Sequence, residues 1–300
     1  KGELDRQEAL GIIEKVFVPT EWCMPMFPRD KKDGTIRTVH DFRWLNKAIR
    51  RRIHTLPKID DILMSMREYE YLTKIDISMQ YYAFWLDEES TWYCVFSTPF
   101  GKHKLNRLGM GCVQSGDIAQ AGMEEVFRDL ILGVLKVYMD DILFHHKSWE
   151  EHLEMIDEVL RRLQEFGFTV NPLKCEWGVS ETDFLGYWVT KLGIKPWKKR
   201  IDPILKMKQP KTLKELRRFI GLVNWYRPMY KKQAKVLVPL TDMTKIDQRA
   251  FKKHWGKAQS EAFEKAKAMV AQEVLLIHPD PNEPFVIETD ASDYQLGEIG

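Results

Sequence analysis

Apolar residues recur along this chain in two alternating rhythms. Leu153, Ile156, Leu160, Leu163 and Phe166 repeat every three or four positions, which predicts a helix over Glu150–Phe166 with one buried face, closed by Gly167. Leu213, Leu216, Phe219, Ile220 and Val223 repeat that spacing, with Lys214, Arg217 and Arg218 on the opposite side. Further helices are predicted over Glu8–Ile13, from Leu56-Pro57 through Ile62, over Asp117–Phe127 and over about Ser260–Ala271. Between them lie short β-branched and aromatic runs of strand length: Ile36–Val39, Leu72–Ser78, Trp92–Phe96, Val134–Val137, Ile142–Phe144 and Phe184–Val189, with an extended stretch around Glu21-Trp22. Lys32-Asp33-Gly34 reads as a turn, the segment ending at Gly101-Lys102 as a polar loop, and Leu108-Gly109-Met110-Gly111 as a glycine-rich passage. Phe285–Ser292 reads as the first strand of another domain that is mostly missing. Strands and helices arranged around a hairpin predict an α+β fold whose sheet is covered on one side.

The hairpin carries the chemistry. Tyr138-Met139-Asp140-Asp141 sets two adjacent carboxylates at its tip, where they repel each other unless a cation compensates. Hard divalent ions take oxygen ligands and are commonly held by one or two carboxylates plus substrate phosphates. A third acid, Asp76, falls between Ile75 and Ile77 in a strand-like run, where an unpaired charge is costly to bury. Taken singly, Asp76 reads as a solvated acid on an edge strand, and Asp140-Asp141 as a polar turn. Taken together, three carboxylates on neighbouring strands are what two-metal phosphoryl transfer requires.

Composition narrows the setting. Three hundred residues, 44% of them hydrophobic, suffice for a large core in two or three domains or subdomains. No run of about 18 apolar residues offers a membrane span, and no secretory leader opens the chain. Cys23, Cys94, Cys112 and Cys175 have no paired spacing, which fits a reducing compartment rather than a zinc site or disulfide framework. His145, His146 and His152 suggest either a metal cluster or ordinary surface and strand-end histidines, and the second reading is preferred. The chain does not begin with Met, which suggests a fragment or a processed product. A net charge of +2 conceals an asymmetry: Lys191–Lys235 holds fifteen basic residues against Asp202 and Glu215, and Arg29–Lys58 holds ten against three acids. Such blocks call for a polyanion, and Trp197, Trp225, Tyr226 and Tyr230 interleave the first of them. A solvated helix face is the alternative, but that ordinarily mixes both signs.

These motifs, in this order, resemble the reverse transcriptases of gypsy-like long-terminal-repeat retrotransposons, relatives of the retroviral enzymes. Arg37-Thr38-Val39-His40-Asp41-Phe42-Arg43-Trp44-Leu45-Asn46-Lys47, Lys74-Ile75-Asp76 followed by Tyr81, Tyr138-Met139-Asp140-Asp141, Asn171-Pro172-Leu173-Lys174-Cys175 and Phe184-Leu185-Gly186 carry the likeness, and Pro210–Tyr226 with Pro239-Leu240-Thr241 extends it. The resemblance implies a right-hand polymerase: fingers and the start of the palm over 1–75, a palm with an antiparallel sheet and helices on one face over 76–190, a helical thumb over 191–238, a partial connection over 239–284, and the beginning of a ribonuclease H domain over 285–300. It implies an RNA-directed and DNA-directed DNA polymerase, with a catalytically silent nucleic-acid-binding subunit as the alternative. Thr289-Asp290-Ala291-Ser292 is similar to the first ribonuclease H strand, and no ribonuclease H activity is expected of this polypeptide.

The implied roles attach to named positions. Asp76, Asp140 and Asp141 would bind two Mg²⁺ ions, with Mn²⁺ able to substitute. Arg37 and either Lys31 or Lys32 would grip the triphosphate, Tyr81 would lie beneath the sugar and exclude a 2′-hydroxyl, and Lys174 would stand near the pyrophosphate. Ile77 and Met110 complete the deoxynucleotide set. Tyr138, Met139, Phe184, Leu185, Gly186, Lys214, Arg217, Arg218 and Trp225 would meet nucleic acid. The implied partners are an RNA template, a DNA primer, their hybrid duplex and deoxynucleotides, with no membrane, in the cytoplasm, a virus-like particle or the nucleus. Glycines at 109 and 116 depart from the family's prolines, which implies a looser base-positioning loop.

Overall fold

Residues 1–31, 34–131, 133–230 and 232–278 are described by the computed structural model, together with the strand backbone of Glu288–Ser292 and Gln295–Ile299. The chain divides into two compact units: Lys1–Lys58 with Tyr69–Phe184, and Ile59–Glu68 with Leu185–Gly300.

The first unit holds two five-stranded sheets. In one, the strands run in the order Ile13–Val16, Gly101–Leu105, Val95–Thr98, Met24–Asp30, Ile36–His40. Its pairings are antiparallel except for that between Met24–Asp30 and Val95–Thr98. Leu4, Ile13, Met24, Phe42, Phe96 and Leu105 close its core.

The second sheet is wholly antiparallel, in the order Glu176–Val179, Tyr71–Ser78, Asp141–His146, Leu135–Tyr138, with Thr169–Val170 added at the end of Tyr71–Ser78. Side chains alternate across a strand, so Ile75, Ile77, Val137, Ile142 and Phe144 share one face. The helices Ser115–Val126 and Trp149–Glu165 cover that face with Met123, Val126, Val159 and Leu163. Lys74, Asp76 and Asp141 are thereby left on the other face, away from the helices. Ser148 caps the longer helix by accepting from the Glu151 N–H, and Gly167, at φ 74°, ends it in the left-handed conformation that glycine tolerates.

The second unit is mainly helical. Lys198–Leu205, Leu213–Asn224, Gln233–Met243 and Lys257–Val270 bury Ile204, Leu216, Phe219, Val223, Leu240, Phe263 and Val270. The Phe219 and Phe263 rings are 4.5 Å apart. Tyr187–Thr190, Gly193–Pro196 and Leu276–Ile277 pair antiparallel beside them. Among the described residues, no helix is long and apolar enough to cross a membrane.

Several expected boundaries move. The first helix is Gly2–Ala9 rather than Glu8–Ile13: Gly11 turns at φ 65°, and the β-branched Ile13 leaves to pair with Leu105. Trp92 and Tyr93 end a helix, Glu88–Tyr93, because Asp87 caps it by accepting from the Ser90 N–H at 2.8 Å, and only Val95–Thr98 is strand. Trp22 packs into the first core and the strand begins at Met24. The run Phe184–Val189 is broken at Leu185 and Gly186, whose φ values of 47° and 88° are those of a tight turn. His145 and His146 do end the strand Asp141–His146, but His145 and His152 are buried rather than surface residues. His152 Nε2 lies 2.7 Å from Thr73 Oγ1 and its Nδ1 lies 3.2 Å from His146 Nδ1; burial pushes its pKa down to about 4. All four cysteines are free.

Candidate active site

The antiparallel register sets Asp76 directly opposite Asp141, as it sets Ile75 opposite Ile142 on the core side. Opposed residues on one face bring their Cβ atoms to about 5 Å. Asp140 follows from the turn: Tyr138 pairs with Asp141, leaving Met139 and Asp140 as a two-residue loop. The Ile77 N–H donates to the Asp140 carbonyl at 2.8 Å, which ties the tip of the hairpin to the Asp76 strand. Asp76 and Asp141, 65 positions apart in sequence (141 − 76), thus become neighbours through one strand pairing.

The electrostatics follow from that crowding. Burial first, then the charges of Asp140 and Asp76, push the Asp141 carboxyl up to about 6, against the pull of the Lys74 ammonium. Lys74 is itself buried, on the same face as Asp76, and pairs with Asp183 at 3.2 Å and Glu176 at 3.6 Å. Asp76 is balanced differently, by Lys174 Nζ at 3.0 and 3.2 Å from its two oxygens. Among the described residues, no group of three or more His, Cys, Asp and Glu side chains forms a ready-made metal cage. The donor set is nonetheless all oxygen and mutually repulsive, with one carboxyl displaced toward neutrality, and that chemistry fits a hard divalent cation.

Two buried glutamines hold the loop. Gln120 Oε1 accepts from the Met139 N–H at 2.7 Å, and Gln80 Nε2 donates to the Met139 carbonyl at 2.8 Å. Neither was singled out from the sequence, and Lys74 was named only within the Lys74-Ile75-Asp76 run, without a role. The available signal was a polar residue inside an otherwise apolar pattern.

Of the remaining candidates, Tyr81 stands close to the acids: burial first, and then the Asp140 charge, raise its phenol. Ile77 is buried and acts through its backbone N–H. Met110 lies in the turn after Gly109, half-buried. Arg37 and Lys31 are exposed on and beside the Met24–Asp30/Ile36–His40 hairpin, in the other sheet. Among the described residues they make no ion pair with the three acids. Lys32 lies outside the described residues, as do the side chain of Asp290 and the stretch 279–287. Phe184 is buried, and the carbonyl of Gly186 accepts from Tyr226 Oη at 2.9 Å. Lys214, Arg217 and Arg218 are exposed on Leu213–Asn224, and Trp225 carries the Arg200 guanidinium 4.9 Å from its ring.

The glycine-rich loop is clamped rather than loose. Ser115 Oγ donates to the Gly109 carbonyl at 2.6 Å, and Asn46 Nδ2 donates to the Gly111 carbonyl at 2.9 Å while its Oδ1 accepts from the Val113 N–H at 2.8 Å. Arg51 grips Asp117 at 2.6 and 3.0 Å, and Gln114 exchanges both amide groups with the Arg52 backbone. A Cβ at Gly109 would fall 2.4 Å from the Phe42 ring.

Comparison with known proteins gives a consistent result. The profile of the family described as reverse transcriptase (RNA-dependent DNA polymerase) matches residues 29–189, and that of an RNase H-like domain found in reverse transcriptase matches 255–299. The Tf2-7 and Tf2-3 transposon polyproteins of Schizosaccharomyces pombe are each 32% identical over 99% of this chain, which spans 21% of their length. Among solved structures, a foamy viral protease-reverse transcriptase in complex with double-stranded DNA is 26% identical with a TM-score of 0.86, over 96% of this chain and 50% of that one. A second, in complex with RNA/DNA hybrid, is 25% identical with a TM-score of 0.83, over 96% of this chain and 38% of that one.

Proposed function

The chain belongs to the reverse transcriptase (RNA-dependent DNA polymerase) family, and from that premise we propose that it copies RNA, and also DNA, into DNA. The primer 3′-oxygen attacks the α-phosphorus of a deoxynucleoside triphosphate, a new phosphodiester forms, and pyrophosphate leaves. The observation that carries this reading is the register that faces Asp76 with Asp141, with Asp140 beside them at the turn.

Asp76, Asp140 and Asp141 would hold two divalent cations, Mg²⁺ in the first instance. When bound, such ions lower the pKa of the attacking hydroxyl and neutralise charge on the triphosphate. The remaining work falls to the chain itself. Lys174, paired with Asp76 at 3.0 Å, would supply a proton to the departing pyrophosphate. Arg37, with Lys31 or Lys32, would bind the triphosphate oxygens, a guanidinium in the bidentate manner and an ammonium as a point charge. Tyr81 would close the space under the sugar. Leu185-Gly186 would seat the primer end, and the basic face of Leu213–Asn224 would follow duplex phosphates. The five-part division into fingers, palm, thumb, connection and ribonuclease H beginning belongs to the same reading.

Primer extension on an RNA template with Mg²⁺ tests it. Extension is expected with deoxynucleotides, with Asp140→Asn reducing it by at least about 10³-fold while primer–template binding persists. Extension with ribonucleotides alone, or none under any template, overturns it.

A further inference from the structure

Met139 adopts φ 54°, a left-handed conformation that costs a non-glycine residue free energy and persists only where the surroundings impose it. Its N–H is taken by Gln120 and its carbonyl by Gln80. Gln80 is 4% exposed and begins the short 3₁₀ turn Gln80–Ala83 that follows the Asp76 strand, immediately before Tyr81. The residue leading into it, Met79, is itself left-handed at φ 52°, so two unusual backbone positions meet at this one bond. A glutamine buried to that degree is costly unless its amide is satisfied, and an apolar side chain of equal size would fill the space without that demand.

We propose that Gln80 is a positioning residue for the carboxylate hairpin, holding the Met139 carbonyl so that the left-handed turn presents Asp140 and keeps Asp141 opposite Asp76. The inference rests on the polymerase reading above. Its particular content is that the segment carrying Tyr81 and the loop carrying Asp140 are joined by one neutral side-chain hydrogen bond. Neither group touched is a reacting atom, so the effect is on geometry and appears in turnover and in metal binding at the acids rather than in affinity for nucleotide or primer–template.

Two near-isosteric variants of the full chain test it. Q80M keeps the volume and removes the donor; Q80L removes it as well and, like Q80M, adds no charge near the three acids. Single-nucleotide incorporation, primer–template affinity and calorimetric Mn²⁺ binding without nucleotide are measured for each. In both, kcat is expected to fall by about 10- to 100-fold, with nucleotide KM and primer–template Kd within about twofold of wild type. Mn²⁺ binding is expected to weaken by about fivefold or more, on the same geometric ground. A kcat within about threefold of wild type in either variant, or unchanged Mn²⁺ binding, overturns the role of Gln80. A wild-type chain that fails to extend any primer strikes the polymerase reading instead, and the Mn²⁺ measurement still decides on Gln80.

Discussion

Asp141 is pushed up to about 6 by burial and by two acids beside it, so at pH 8 the folded chain holds a charge it would sooner lose. A carboxyl whose pKa is higher folded than unfolded stabilises the fold at low pH and surrenders that stability as pH rises from about 4 through 6. Asp141→Asn should therefore raise stability by about 1–2 kcal/mol at pH 8 without divalent cation, and by little at pH 4, in paired thermal melts. The same logic makes Mg²⁺ stabilisation of the wild type larger at pH 8 than at pH 5. Tyr81 permits a second expectation, because its phenol feels the Asp140 charge. Tyr81→Val should increase ribonucleotide incorporation relative to deoxynucleotide by roughly 10-fold or more; unchanged discrimination would make Tyr81 a packing residue. At this scale the three acids were legible because a charge amid β-branched residues is conspicuous. Gln80 and Gln120 were not, because the carbonyl or N–H that a buried amide satisfies is decided by segments distant in sequence.

Among the elements, the loop from Leu108 to Asp117 departs furthest from what its composition implies. Two glycines suggest freedom, yet Ser115, Asn46, Arg51 and Gln114 bind its backbone and flanks at several points. Gly109 is small because Phe42 occupies the place its side chain would take. Gly109→Ala should cost about 1–3 kcal/mol of stability, and Phe42→Leu should restore part of it; an unaffected melting temperature would show that the ring yields freely. The long helices were legible from their three-to-four spacing, and the hairpin from its flanking strands. The helix Glu88–Tyr93 was hidden because Trp92 and Tyr93 favour strands, while the deciding signal was a single capping aspartate. Leu213–Asn224 invites a test of its own: alanine at both Arg217 and Arg218 should weaken duplex binding and lower the salt slope by about 2. An unaltered slope would place the phosphates elsewhere.

For the molecule as a whole, the pattern of strands and helices indicated an α+β protein and the charge distribution a basic block, and the likeness to solved reverse transcriptase structures agrees with that class. How the chain distributes itself between two units could not be read in advance. Ile59–Glu68 groups with residues beyond Leu185, although it lies between two segments of the first unit. Only contacts settle such an assignment, and local pattern is blind to it. Synthesis on the ribosome gives that detour a temporal meaning. The decapeptide is made before the rest of its unit, which is not translated until more than a hundred codons later, several seconds at least at ordinary elongation rates. Until then the buried Ile62 and Leu63 lack the rest of their own unit, so nascent chains halted before residue 185 should recruit chaperones at this site and release them once translation resumes.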